Sequence, residues 1–248
     1  MQIENSVAFV TGANRGLGKA FAEALLEAGA AKVYAGARDP ASVTGGGPNS
    51  AKLMPVKLDV TSASDIAAAA RACPDVTLLI NNAGILLSSP AMAESAADAL
   101  RREMEVNVYG LMNVSRAFAP AIARQGGGAI VNMLSVVSWF TNPATATYCA
   151  SKHAALAVSD GMRIQLRAQG IQVTAVYAGF VDTDMTAGIE LPKVTPRQIA
   201  ERTMAGIRAG QDHVLADARA EEVWHMTRTD PAALAAQMQQ RWDETHPR

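Results

Sequence analysis

The chain has 248 residues, 49% of them hydrophobic and 18% charged, with a formal net charge of −1. That length suits one α/β domain with a sizeable core, and the neutral balance offers neither a nucleic-acid surface nor a disordered charged tail. Two cysteines, no apolar run near the roughly 18 residues of a membrane span and no basic-then-apolar leader argue against a disulfide scaffold, a metal cluster, a membrane protein or a secretory signal, and for a soluble cytoplasmic protein.

In chain order, Val7–Val10 reads as a strand and runs into Thr11-Gly-Ala-Asn-Arg-Gly-Leu-Gly18. Leu17, Phe21, Ala24, Leu25 and Ala28 then recur at helical spacing, with Gly29 placed to close the helix. Glycines at 12, 16 and 18 between a strand and a helix allow a tight turn. They also let backbone N–H groups approach a pyrophosphate at the positive end of the helix dipole.

Lys32–Ala37 is a second strand, and the residues after it report which dinucleotide would fit. An acid there suits the ribose 2′-hydroxyl of NAD. Here Arg38 comes first and Asp39 second, while Arg15 adds a cation inside the glycine turn. Two guanidinium groups suit a 2′-phosphate and favour NADP(H). The competing reading has two solvated arginines, with Asp39 serving NAD.

Residues 40–50, with three consecutive glycines and Pro48, predict a short helix or a loop. Leu53–Leu58 is a third strand, and Ser62–Ala72 an Ala-rich helix. Val76–Ile80 is continuously apolar, as in a strand buried on both faces. Asn81-Asn-Ala-Gly84 follows it, at the strand end where open α/β sheets bind ligands. A long helix is expected over 95–114 and another over 115–124, then a strand over 129–133. Ser135 stands just past that strand, with Ser138 as a nearby rival hydroxyl.

The next helix, 147–168, carries Tyr148 and Lys152 and ends at Gly170. Positions i and i+4 share a helix face, so an ammonium there could stabilise a phenolate and turn the phenol into an acid or base near neutral pH. Such a pair also arises by accident on a half-exposed helix. Ile171–Tyr177 is a sixth strand. Residues 182–195 read as a loop, 196–208 as a helix started by Thr195 and Pro196, and 213–215 as a short last strand. The tail, 217–246, is predicted helical with a break at Asp230-Pro231. The alternation implies a Rossmann-type doubly wound parallel sheet of about seven strands in three layers, built as a single domain.

Taken together, these segments resemble the short-chain dehydrogenase/reductase family over Val7 to about Met185. The motifs that carry the resemblance are Thr11–Gly18, Asp59-Val60, Asn81–Gly84, Asn107 within Glu105-Val-Asn-Val108, Ser135 and Tyr148-x-x-x-Lys152, in the family's order and spacing. The resemblance implies that Tyr148 is the general acid/base and Ser135 orients the substrate oxygen. Lys152 would tune the phenol and hold the nicotinamide ribose, and Asn107 would anchor a relay water. Cofactor contacts would come from Gly12, Asn14, Arg15, Gly16, Leu17, Gly18, Arg38, Asp59, Val60, Asn82, Ala83, Gly84, Tyr148, Lys152, Gly179, Val181 and Thr183.

The family usually carries Pro-Gly after the sixth strand, whereas this chain has Ala178-Gly179. The missing proline predicts a looser loop and weaker cofactor ordering. Leu86, Leu87, Met133, Trp139, Phe140, Tyr177, Phe180 and Met185 would surround the nicotinamide and suit a hydrophobic ketone or aldehyde. The resemblance also implies pairing of subunits through helices near 108–124 and 147–168, as a homodimer or homotetramer. No nucleic acid, membrane or metal is expected. An NAD-dependent secondary-alcohol or hydroxysteroid dehydrogenase remains an alternative, as does a non-catalytic dinucleotide sensor on the same fold.

Overall fold

The computed structural model describes residues 1–45 and 49–245, so Gly46, Gly47, Pro48 and the tail residue His246 lie outside the described residues. Strands β1 (Val7–Thr11), β2 (Lys32–Ala37), β3 (Leu53–Lys57), β4 (Leu78–Asn81), β5 (Gly128–Met133), β6 (Ile171–Tyr177) and β7 (His213–Leu215) form one sheet. Its order is β3-β2-β1-β4-β5-β6-β7, parallel throughout. The order reverses between β1 and β4, which creates the crevice in which such sheets bind ligands.

The helices are α1 (Gly16–Glu27), α2 (Ala63–Ala72), α3 (Ala96–Met104), α4 (Leu111–Arg124), α5 (Ala146–Leu166), α6 (Pro196–Arg208), α7 (Ala218–Thr229) and α8 (Pro231–Thr245). One layer, with Phe21, Leu25, Ile199 and Ile207, packs α1 and α6 on the sheet. On the opposite face, Phe9, Phe118, Ile122 and Ile130 bury α2 and α4. Central strands buried on both faces explain why β4 is apolar without alternation. The edge strand β3 is largely exposed and tolerates Pro55, whose missing N–H would break an inner ladder.

Local chemistry sets most boundaries. Gly29, at φ +88°, closes α1: its N–H donates to Leu26 O, and Ala30 N–H to Leu25 O. Ser62 caps α2 through the Asp65 N–H, and Thr195 caps α6 through the Gln198 N–H, each worth about 1 kcal/mol. Among the described residues around 40–50, the chain forms two short 3₁₀ turns, Pro40–Ser42 and Ser50–Lys52.

One expected boundary moves. The helix predicted to divide near residue 114 runs without such a break into α4. The irregularity lies earlier, where Glu105–Gly110 forms a π-helical stretch between α3 and α4. A π turn inside a helix is rare and concentrates at functional sites. Here it contains Asn107.

Candidate active site

The glycine turn is shaped for a dinucleotide before one binds. Gly12 and Gly16 hold φ of +65° and +52°, and a Cβ on Gly18 would stand 2.1 Å from the Gly12 carbonyl oxygen. Arg15, at the N-cap of α1, gives no side-chain cap, and the first turn carries no acid, so its N–H groups remain available for an anion. This cradle fits a pyrophosphate. Asn82 and Thr11 lock it to the neighbouring loop: Asn82 Nδ2 donates to Thr11 O at 3.0 Å, and the Asn82 and Ala83 N–H groups both donate to Thr11 Oγ1 at 2.9 Å.

Past β3, Asp59 accepts from Thr61 N–H and Oγ1, bonds that lower its pKa, with the charge of Arg38 adding to the effect. Asp39 caps the 3₁₀ turn after β2 by accepting from the Ala41 N–H. Its carboxylate therefore has a structural task. Arg38 is exposed, and Arg15 donates to Asp184 Oδ2 at 2.9 Å. That ion pair is solvent-exposed and worth at most about 1 kcal/mol, so a phosphate can displace it readily.

Four of the expected residues converge past β4 and β5. Asn107 Nδ2 donates to Ile85 O at 2.9 Å and to Ser151 Oγ at 3.0 Å, while its Oδ1 accepts from Ile85 N–H at 2.8 Å. With both Nδ2 protons committed, this side chain has only the second Oδ1 lone pair to offer a water. A Cβ on Gly84 would stand 3.2 Å from that oxygen and 3.9 Å from Lys152 Nζ. Lys152, only 6% exposed, donates to Met133 O at 2.9 Å. Its Nζ lies 5.6 Å from the centroid of the Tyr148 ring.

Burial dominates the electrostatics. It pushes the Tyr148 phenol well above its ordinary range, reinforced by the charges of Cys149 and Glu103 and opposed by a hydrogen bond with Ser135. The same burial lowers the Lys152 amine to about 8. The direction of the Tyr148 shift is thus set by burial, with Lys152 not among its causes. Desolvation penalises both charges, and the ammonium faces a carbonyl oxygen instead.

Ser135 caps the short turn Val136–Ser138, with Oγ 3.4 Å from both Val137 N and Ala178 O. Its rival Ser138 is 1% exposed and accepts from the Ser135 N–H, so it buttresses the turn.

Of the residues expected around the nicotinamide, Tyr177 is core rather than pocket. It is fully buried, its ring packs tilted against Trp139 with centroids 4.0 Å apart, and its hydroxyl bonds His213 Nδ1 at 2.9 Å. Trp139 and Phe140 line a cavity of about 580 Å³ against α8, with Pro143, Leu234, Met238 and Trp242. Neither Ser135 nor Tyr148 lines that cavity. Leu86, Leu87, Phe180 and Met185 stay partly exposed on the loops after β4 and β6.

The family match is decided by a family model described as short chain dehydrogenase, which covers residues 6–193. The chain belongs to this family.

Among solved structures, a short chain dehydrogenase from Burkholderia cenocepacia in complex with NADP is 41% identical. It superposes with a TM-score of 0.91 over 96% of this chain and 99% of that one. That coverage reaches well into the C-terminal tail. A 3-oxoacyl-acyl-carrier-protein reductase of Vibrio cholerae is 33% identical over 85% of each chain. The short chain dehydrogenase TazN of Aspergillus terreus is 33% identical over 77% of this chain, which spans less than half of that longer protein, 44%. The chain is thus a short-chain dehydrogenase-type oxidoreductase, and among its described residues no helix is long and apolar enough to cross a membrane.

Two residues with a bearing on the site escaped the sequence reading. Glu103 is fully buried, accepts from the Leu87 N–H at 2.8 Å and leaves Oε2 without a partner. Asp217 is 5% exposed and accepts from the Gly179 N–H at 2.7 Å. Each reaches a loop far away in sequence, so no local pattern announces it. The contacts also oppose the expected looseness at Ala178. That residue is 2% exposed, its carbonyl oxygen accepts from Val136 N–H at 3.0 Å, and its neighbour Gly179 is held by Asp217.

Proposed function

We propose that the protein is a single-domain NADP(H)-dependent carbonyl reductase, an alcohol dehydrogenase in reverse, acting on hydrophobic ketones or aldehydes. The observation that carries the reading is the convergence of Ser135, Tyr148, Lys152 and Asn107 beside a preformed pyrophosphate cradle.

In this reading Gly12, Asn14, Gly16, Leu17 and Gly18 present the turn to the pyrophosphate, and Arg15 and Arg38 grip the 2′-phosphate. Asp59 and Val60 border the adenine, and Asn82, Ala83, Gly84 and Lys152 the nicotinamide ribose. Gly179, Val181 and Thr183 meet the carboxamide end. When bound, the cofactor supplies the hydride. Ser135 holds the substrate oxygen by a hydrogen bond, and Tyr148 gives that oxygen its phenolic proton. A raised phenol pKa keeps this acid protonated at neutral pH, as a reduction requires. The use of Asp39 as a turn cap supports NADP(H) over NAD(H).

The half-exposed apolar side chains Leu86, Leu87, Phe180 and Met185 favour a hydrophobic carbonyl compound over a sugar or a carboxylate. For subunit pairing, exposed Ile164 on α5, Tyr109 beside α4 and open space at Gly161 support a dimer through these helices.

Aryl ketones, diketones, steroids and aldehydes, assayed by NADPH absorbance with NADH in parallel, test the proposal. Turnover of an apolar carbonyl with NADPH preferred is expected. A preference for NADH would overturn the cofactor assignment.

A further inference from the structure

The segment after β6 leaves the sheet through Ala178 and Gly179 and returns at Val194, which bridges Val181. Its far side meets the glycine turn: Thr183 Cγ2 is 3.3 Å from where a Gly16 Cβ would lie, and Asp184 pairs with Arg15. Its near side is held by a residue 38 positions further along the chain. Asp217, directly after β7, accepts from Ala220 N–H through Oδ1 and from Gly179 N–H through Oδ2, both at 2.7 Å.

We propose that Asp217 is a positioning residue for cofactor binding, fixing the Gly179–Thr183 segment against the glycine turn by holding the Gly179 N–H. The proposal rests on the cofactor reading above and assigns a role within it to the C-terminal helices.

Three features make this more than an ordinary helix cap. The cap itself needs one oxygen, and Oδ1 supplies it; Oδ2 is left for Gly179. The two groups are closely packed, since a Cβ at 179 would lie 3.1 Å from Arg219 Cβ, so that Arg219 would have to give by a few tenths of an ångström. A short bond from a backbone N–H to a buried carboxylate is also among the stronger hydrogen bonds a loop can make. Where the family's usual proline would restrict the backbone at 178, this chain restrains it one residue later. The same helix braces the catalytic loop, because Trp224 of α7 packs on Trp139 at 4.9 Å. Helix α7 thus holds the segments after both β5 and β6.

Asp217→Ser tests the role, because a serine hydroxyl caps α7 but is too short to reach Gly179 as well. Amide exchange of Gly179–Thr183 in cofactor-free protein should speed up about tenfold. The NADPH Kd, read by fluorescence, should rise about tenfold, the scale of losing one hydrogen bond to a charged acceptor. Val223→Ala, which removes buried volume from α7 without touching Gly179, is the control. It should lower Tm and leave both quantities near wild type. If exchange at Gly179 in Asp217→Ser matches wild type, or if Val223→Ala raises Kd equally, the positioning role is wrong. Exchange is measured without cofactor, so wild-type protein that fails to bind NADPH would sink the cofactor reading alone.

Discussion

Lys152 directs its Nζ to the carbonyl oxygen of Met133, 2.9 Å away, and so is anchored to the end of β5 rather than to the phenol it shares a helix with. Burial holds the amine at about 8, against the usual 10.5. The sign of the consequence follows directly. Below pH 8 both folded and unfolded chains carry this proton, and the penalty for burying the charge is fully present. Between about 8 and 10 the unfolded chain keeps a proton that the folded one has lost, so stability rises with pH. The gain is at most about 3 kcal/mol over that window. Urea unfolding of the cofactor-free wild type at stepped pH, set against Lys152→Met, should show a slope that the variant lacks.

Glu103 of α3 acts on the Tyr148 phenol through its charge. It is fully buried, and its charge raises the Tyr148 pKa. Glu103→Gln removes that charge and should move the basic limb of the kcat/KM pH profile to lower pH. An unmoved limb in a folded variant would show that Glu103 serves only to hold Leu87.

Gly18 tests the cradle. The 2.1 Å approach of an added Cβ to the Gly12 carbonyl oxygen leaves no room without backbone movement. Gly18→Ala should cost about 1–3 kcal/mol of stability and weaken NADPH binding at least about tenfold. Calorimetry and fluorescence titration report the two effects separately.

Arg38 should decide between cofactors. Arg38→Asp removes a 2′-phosphate grip and installs an acceptor for a 2′-hydroxyl, so NADPH kcat/KM should fall by about 10–100-fold relative to NADH. Equal losses with both cofactors would mean that Arg38 does not read the 2′ position.

Much of this was legible from sequence because local chemistry decided it. Gly29 closes α1, Thr195 opens α6, and Asp230-Pro231 divides α7 from α8. The order of motifs located the glycine turn, Ser135 and the Tyr148 helix. What stayed hidden depends on contacts between distant segments. Glu105–Gly110 contains no residue that announces a π turn; Asn107 pairs with Ile85 there, and Gly110 packs against Val60, where a Cβ would stand 2.9 Å from Val60 Cγ2. Tyr177 read as a pocket residue because it ends a strand at the ligand side of the sheet. Its partner His213 comes from β7, a pairing invisible to periodicity. The bond from Lys152 to the Met133 carbonyl likewise joins α5 to the end of β5, which the i, i+4 spacing of Tyr148 and Lys152 does not announce.

The central claim is that Tyr148 delivers the proton while the rest of the site binds. Replacing it by phenylalanine removes one oxygen and little volume, so the fold should survive. The direct measurement is Tyr148→Phe, comparing single-turnover reduction of a ketone accepted by the wild type with the Kd for NADPH. The account predicts that turnover falls by about a thousandfold or more while Kd stays within about threefold of wild type. Turnover equal to wild type in a folded, NADPH-binding variant would contradict it.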